Sequence, residues 1–262
     1  MKFTTAVFVH GAWMTPLCWD KFVGFYEARG VTCVAPAWPY KDRSIEQLRQ
    51  APDPALGRLG IEEIVDHYAG IIRKLNAPPV LIGHSFGGLF VQMLLDRGLG
   101  AAGIAIDSAP PKGILPFLYP TEVRANLRIL LTPGFWNRVI RMSLAGFQYT
   151  FTNNMPEAEQ RAAYEQQVVP ESGRIFFQTA FALLNNATHV NFRNGTRAPL
   201  LMIAGSADHV CPAAQNRANY NRYKQSTART DFKEFPNRAH WIIAQTGWEE
   251  VATYTADWVN RL

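Results

Sequence analysis

Cysteine is scarce. There are three in 262 residues (Cys18, Cys33 and Cys211), none in a C-x-x-C pair and one left over from any pairing. That excludes a disulfide-built scaffold and points to a reduced, cytoplasmic chain. No apolar run approaches the roughly 18 residues that a membrane-spanning helix needs. The opening stretch from Met1 to His10 is too short for a secretory leader, lacks a small-residue cleavage site and ends in His-Gly, so it reads as a first core strand. Charged residues make up 18%, and the net charge of +5 contains no dense Lys/Arg block. Neither a nucleic acid nor a membrane partner is therefore expected. There is no His/Cys cluster with metal-ligand spacing, so no metal and no cofactor is expected. What the chain has in quantity is apolar side chains, 48% of the total. That rules out disorder and suits one large domain carrying an insertion.

Short β-branched runs alternate with helical patterns, the signature of a mostly parallel α/β sheet with helices on both faces. Six strands are expected at 4–9, 31–35, 79–83, 102–107, 199–204 and 231–235. Runs such as Val80-Leu81-Ile82 are apolar throughout, as in strands covered on both faces. Segment 61–75 carries Ile61, Ile64, Tyr68, Ile71, Ile72 and Leu75 as one helical stripe. The closing helix is expected to begin with a Thr246/Glu249 capping box and to line up Trp248, Val251, Tyr254, Trp258 and Leu262 on one side. Residues 37–59 read as irregular. Between 112 and 195, helices are proposed at 121–131, 135–147, 157–168 and 173–186, with no strand among them. The expected division is a sheet core of 1–111 and 196–262 with an inserted helical cap, 112–195, after strand 102–107.

The segment Gly83-His84-Ser85-Phe86-Gly87-Gly88 lies between an apolar strand and a helical run. A serine on such a sharp turn projects its hydroxyl from the sheet edge, and glycines on either side let the backbone fold that tightly. A phosphate-binding turn is excluded, because neither G-x-G-x-x-G nor the P-loop lysine is present. A nucleophilic serine needs a base. His67 falls in a helix, His84 points away from Ser85, His189 has no patterned support, and His209 adjoins Asp208 and points elsewhere. His10 reads as loop packing. His240 sits in the loop after the last strand, at the edge where such sheets gather functional groups. The acid is Asp208, in a loop that holds it clear of its strand, with Asp107 as competitor. Oxyanion donors are expected from the Phe86 N–H and from the Ala12 N–H, with Trp13 as the alternative.

With these elements in this order, the chain resembles the α/β-hydrolase superfamily. The resemblance rests on H-G-A-W (10–13), G-H-S-F-G-G (83–88), G-S-A-D-H-V (205–210) and the His240 loop. It is similar above all to compact members of the methylesterase and hydroxynitrile lyase group. Ser rather than Asp at 85 argues against haloalkane dehalogenase chemistry. The residues after His240, Trp241-Ile242-Ile243-Ala244-Gln245, lack the lysine of the lyases. The resemblance implies a serine hydrolase that cleaves a small carboxylic ester through an acyl-enzyme on Ser85, with Asp208 and His240. Lactone, thioester or amide hydrolysis, perhydrolase or lyase chemistry, and a non-catalytic ligand receptor are the alternatives. The expected pocket residues are Trp13, Trp241, Phe117, Tyr119 and Trp136, which would favour hydrophobic or aromatic esters over charged ones.

Overall fold

Strands β1 (Thr5–Val9), β2 (Thr32–Val34), β3 (Val80–His84) and β4 (Ala102–Ile106) take up the first half of one six-stranded sheet. The computed structural model describes residues 3–262. Met1 and Lys2, the start of the stretch read as core, lie outside the described residues. Two short strands follow, β5 (Val139–Ile140) and β6 (Glu171–Ser172), and then β7 (Leu200–Gly205) and β8 (Thr230–Phe235) complete the main sheet. Its order is β2-β1-β3-β4-β7-β8, and every pairing is parallel. Ile82 pairs with Phe8 on one side and Ile104 on the other, and Ile104 pairs in turn with Leu201. β3, β4 and β7 are buried along their whole length, while the edge strand β8 is half-buried except at Phe235. This is why the central strands are continuously apolar and β8 is not.

Helices α1 (Asp20–Glu27), α2 (Ile45–Gln50), α3 (Ile61–Ile72) and α4 (Phe86–Asp96) follow the first strands. α3 buries Ile61, Ile64, Tyr68 and Ile72 of the expected stripe, together with Val65 and Ala69, while Ile71 is half-buried and Leu75 lies beyond the end of the helix. The expectation that 37–59 is irregular fails in part, because α2 lies within it. Its capping box, Ser44 with Gln47, is a signal that the sequence carries.

Between β4 and β7 come α5 (Pro120–Leu130), α6 (Leu144–Thr150), α7 (Glu157–Gln167) and α8 (Gly173–Ala180). Two expectations are corrected here. The helix proposed at 135–147 is instead a 3-10 turn at Phe135–Asn137, then β5, then α6. The segment also contains strands, since β5 and β6 pair antiparallel. β-branched Val139 and Ile140 find a partner some thirty residues away, and pairing at that distance overrides local helical spacing.

The chain ends with α9 (Ala213–Arg222) and α10 (Trp248–Asn260). The Thr246/Glu249 capping box is absent. α10 starts from Gly247 in a left-handed conformation, φ 83°, with no side-chain cap. Arg238 explains this, because its guanidinium donates to the carbonyls of Thr246 and Gly247 and fixes the turn. Leu262 lies beyond the helix and is exposed. Among the described residues no helix is long and apolar enough to cross a membrane.

Candidate active site

The carboxyl ends of β1, β3, β4, β7 and β8 open into the loops that hold His10–Trp13, Ser85, Asp107, Asp208 and His240 respectively. A parallel sheet gathers the ends of all its strands at one edge, so residues far apart in sequence meet there. Ser85 occupies a turn at φ 57°, ψ −121°, a strained conformation for a residue with a side chain. The turn is tight enough to require its glycines. A Cβ at Gly83 would lie 2.1 Å from the Gly87 carbonyl oxygen, and one at Gly87 would lie 1.9 Å from that of Val9. α4 begins at Phe86, so its first N–H groups and the positive end of its dipole are directed at the serine edge.

Asp208 and His240 meet: Nδ1 of His240 donates to Oδ2 of Asp208 at 2.6 Å, with both side chains fully buried. The other oxygen of Asp208 accepts the N–H groups of Val210 (2.6 Å) and Cys211 (3.0 Å), which fixes the carboxylate. Nε2 of His240 is buried without a hydrogen-bond partner among the described residues, so the Ser85 hydroxyl does not bond to it in this conformation. Phe151 packs edge-on against the His240 ring at 4.7 Å and lines the same cleft as Ser85.

His84 ties the serine turn to the histidine loop, its Nε2 donating to the His240 carbonyl at 2.7 Å. Burial, and then the nearby His240, hold its ring well below the ordinary imidazole range. His10 stacks on Trp38 at 4.7 Å and accepts the Trp38 N–H at 3.2 Å. Burial, followed by the charge of Lys41, lowers it likewise. His209 bonds the Tyr149 carbonyl at 2.9 Å, and His67 bonds the Ala37 carbonyl at 3.1 Å. Because His10 and His84 stay neutral in the fold, only the unfolded chain takes up their protons as pH drops below about 6.5. Each then favours unfolding by at most about 1.4 kcal/mol per pH unit. Other buried groups titrate over the same range, so the effect is read by difference: the loss of urea stability between pH 7.5 and 5.5 should be smaller in His10→Asn than in the wild type, and an unchanged difference would contradict the buried neutral ring.

Asp107 lies beside Asp208, with φ 45°, and its Oδ1 accepts the Gly205 N–H at 2.7 Å. Burial, and then the Asp208 charge, push its carboxyl well above the usual range, so the protonated form is favoured. Donor atoms of His84, Asp107 and His240 come within 4.8 Å of one another, the spacing of a metal-binding trio. Nδ1 of His84 and Nε2 of His240 are without a hydrogen-bond partner among the described residues, but a protonated carboxyl such as that of Asp107 is a poor metal ligand.

The loop after β1 is clamped from the segment between α7 and α8. Trp13, at φ 70°, donates its N–H to Oε2 of Glu171 at 2.9 Å, and its carbonyl accepts the Val169 N–H at 2.8 Å. The same carboxylate oxygen accepts from Nζ of Lys41 at 2.7 Å, in an ion pair with both side chains fully buried. Oε1 accepts the Ser172 N–H at 2.7 Å. The Trp13 N–H is therefore committed to Glu171. Neither Lys41 nor Glu171 stands out in the sequence, because each is a lone charge in an unremarkable segment.

Two small clefts reach Ser85, of about 50 Å³ and 30 Å³. Phe117 lines the first, Ala12 and Trp13 line the second, and Phe86 and Phe176 line both. Phe176 stacks on Trp13 at 5.2 Å and meets Phe86 edge-on at 5.5 Å. Trp241 is buried against Phe147 and Phe151. Tyr119 is the N-cap residue of α5, and Trp136 is 41% exposed and packs on Phe135 and Phe177. A larger cavity of about 550 Å³ adjoins the second cleft, and Trp13, Ala125, Ile129, Met142 and Thr150 line both.

The sequence profile described as "Alpha/beta hydrolase family" matches residues 6–253. Solved structures with the same fold include a monoacylglycerol lipase from Paleococcus ferrophilus, 22% identical, covering 97% of this chain and 93% of that one with a TM-score of 0.67. A pyrethroid hydrolase from Sphingobium faniae JZ-2 is 20% identical, with 98% and 97% of the two chains covered and a TM-score of 0.67. The methylesterase MES16 from Arabidopsis is 15% identical, with 99% and 100% covered and a TM-score of 0.71. No curated protein matches the sequence.

Proposed function

The chain belongs to the alpha/beta hydrolase family, and from that premise we propose that it hydrolyses a small carboxylic ester through an acyl-enzyme on Ser85. The observation that carries this reading is the buried His240 imidazole. Asp208 anchors it at one nitrogen, and its other nitrogen is unpartnered at the edge where the strained Ser85 turn stands.

In the proposed reaction, Nε2 of His240 takes the Ser85 proton as Oγ bonds to the ester carbon. The carbonyl electron pair moves onto oxygen, where the N–H groups of Ala12 and Phe86 receive it. Collapse of this intermediate breaks the bond to the alkoxy oxygen, which leaves with the proton from His240. Water repeats the sequence and frees the acid. Asp208 holds the ring in the tautomer that presents a bare Nε2. The segment 112–195 acts as a cap, contributing Phe117, Phe151 and Phe176 to the clefts at Ser85. These aromatic walls support a hydrophobic or aromatic group next to the reacting carbonyl.

A fluorophosphonate probe tests the assignment. One phosphonyl group per chain should attach to Ser85, and labelling should vanish in Ser85→Ala while that variant stays folded. An unlabelled wild-type chain that nevertheless binds esters would favour a ligand receptor instead.

A further inference from the structure

We infer that the cavity outside the Ser85 clefts is a binding site for an oxyanion, so that the substrate is an ester carrying a carboxylate or phosphoryl group at the end remote from its reacting carbonyl. The inference rests on the proposed ester hydrolysis and adds to it the chemistry of the substrate's far end.

Arg124, Arg128, Arg138 and Arg141 all line the cavity of about 550 Å³, and no Asp or Glu lines it. The chain as a whole carries 26 basic and 21 acidic residues, so a wall of one sign departs from the balance elsewhere. Among the described residues none of the four cavity arginines makes an ion pair, and Arg124 instead lies over the Tyr149 ring at 4.0 Å. Like charges around one concavity repel one another, and a bound anion relieves that repulsion. Guanidinium groups also match the paired oxygens of carboxylate and phosphoryl groups in geometry.

Position ties this cavity to the chemistry. Trp13, Ile129 and Met142 line both it and the cleft that holds Ser85. The clefts at the serine, of about 50 and 30 Å³, have room for only a small group, so the bulk of a substrate must extend outward. An extended ester would then place an apolar stretch between aromatic walls and its far end among the arginines. For that far end the preference is the reverse of the one expected from the aromatic residues alone.

The test compares methyl esters of matched chain length. Methyl alkanoates are set against the monomethyl esters of succinate, adipate, suberate and sebacate, against ω-phosphono analogues, and against methyl 6-aminohexanoate. At least one anionic ester should exceed its neutral counterpart in kcat/KM by about tenfold or more at low salt, with the cationic ester poorest. The advantage should shrink in 0.5 M NaCl and fall toward unity when the arginines are replaced in pairs, Arg124→Gln with Arg128→Gln and Arg138→Gln with Arg141→Gln. The relative rates of carboxylate and phosphono esters tell which oxyanion fits. Equal or better turnover of the neutral ester at every length overturns the inference and leaves ester hydrolysis standing. If no ester is cleaved, the functional reading fails, and titration of suberate and phosphate into Ser85→Ala decides the site alone. Salt-sensitive binding that the arginine variants lose would support it, and absence of binding would overturn it.

Discussion

Replacing Asp208 by Asn should lower kcat about 10,000-fold with little change in KM, whereas Asp107→Asn should lower it by less than about tenfold. The two carboxyls stand side by side at the ends of neighbouring strands, yet their environments separate them. Asp208 accepts two backbone N–H groups on one oxygen and the His240 ring on the other, so its carboxyl group is held in place and orients the imidazole. An amide there keeps the shape but offers His240 a donor or a weaker acceptor. The ring then loses the tautomer that leaves Nε2 free to take a proton. Asp107 accepts only the Gly205 N–H, and burial together with the Asp208 charge favours its protonated form. Asparagine is close to isosteric with that neutral acid and can still accept from Gly205. Steady-state kinetics on any hydrolysed ester decides the matter. A loss in Asp107→Asn as large as in Asp208→Asn would reassign the acid.

Removing the Glu171 carboxylate is the second large effect. Glu171→Ala should destabilise the fold by about 3–5 kcal/mol, because it leaves Lys41 fully buried without a counter-charge. For a chain of this size that is a fall in Tm of about 10 °C. It should also lower kcat by about tenfold to a hundredfold, because the Trp13 N–H loses its acceptor and the neighbouring Ala12 N–H shifts from the place where the oxyanion forms. The double variant Lys41→Met with Glu171→Leu separates the two consequences. It removes both charges and should regain most of the lost Tm, yet kcat should stay low because Trp13 is still unclamped. Recovery of both together would mean that Glu171 contributes stability alone.

The strand ends and the Asp208–His240 pair were legible in the sequence because each rests on local information. An apolar run followed by Gly83-His84-Ser85-Phe86-Gly87 specifies a strand, a sharp turn and a helix, and parallel strands place their following loops at one edge. The Ser44/Gln47 capping box of α2 is equally local. Other features had no local signature. Val139 and Ile140 become a strand only because Glu171 and Ser172 lie alongside them. The start of α10 depends on Arg238 reaching the carbonyls of Thr246 and Gly247.

The site divides in the same way. By itself the amino-acid order determined which side chains carry the proposed chemistry, since backbone torsions and strand periodicity act over a few residues and leave a readable pattern. Only the tertiary structure committed the Trp13 N–H to Glu171, buried Lys41 against the same carboxylate, and set four arginines around one cavity. Those outcomes depend on desolvation and on charges brought together across long stretches of chain. Neither has a period or a spacing, so neither exists until the chain has folded.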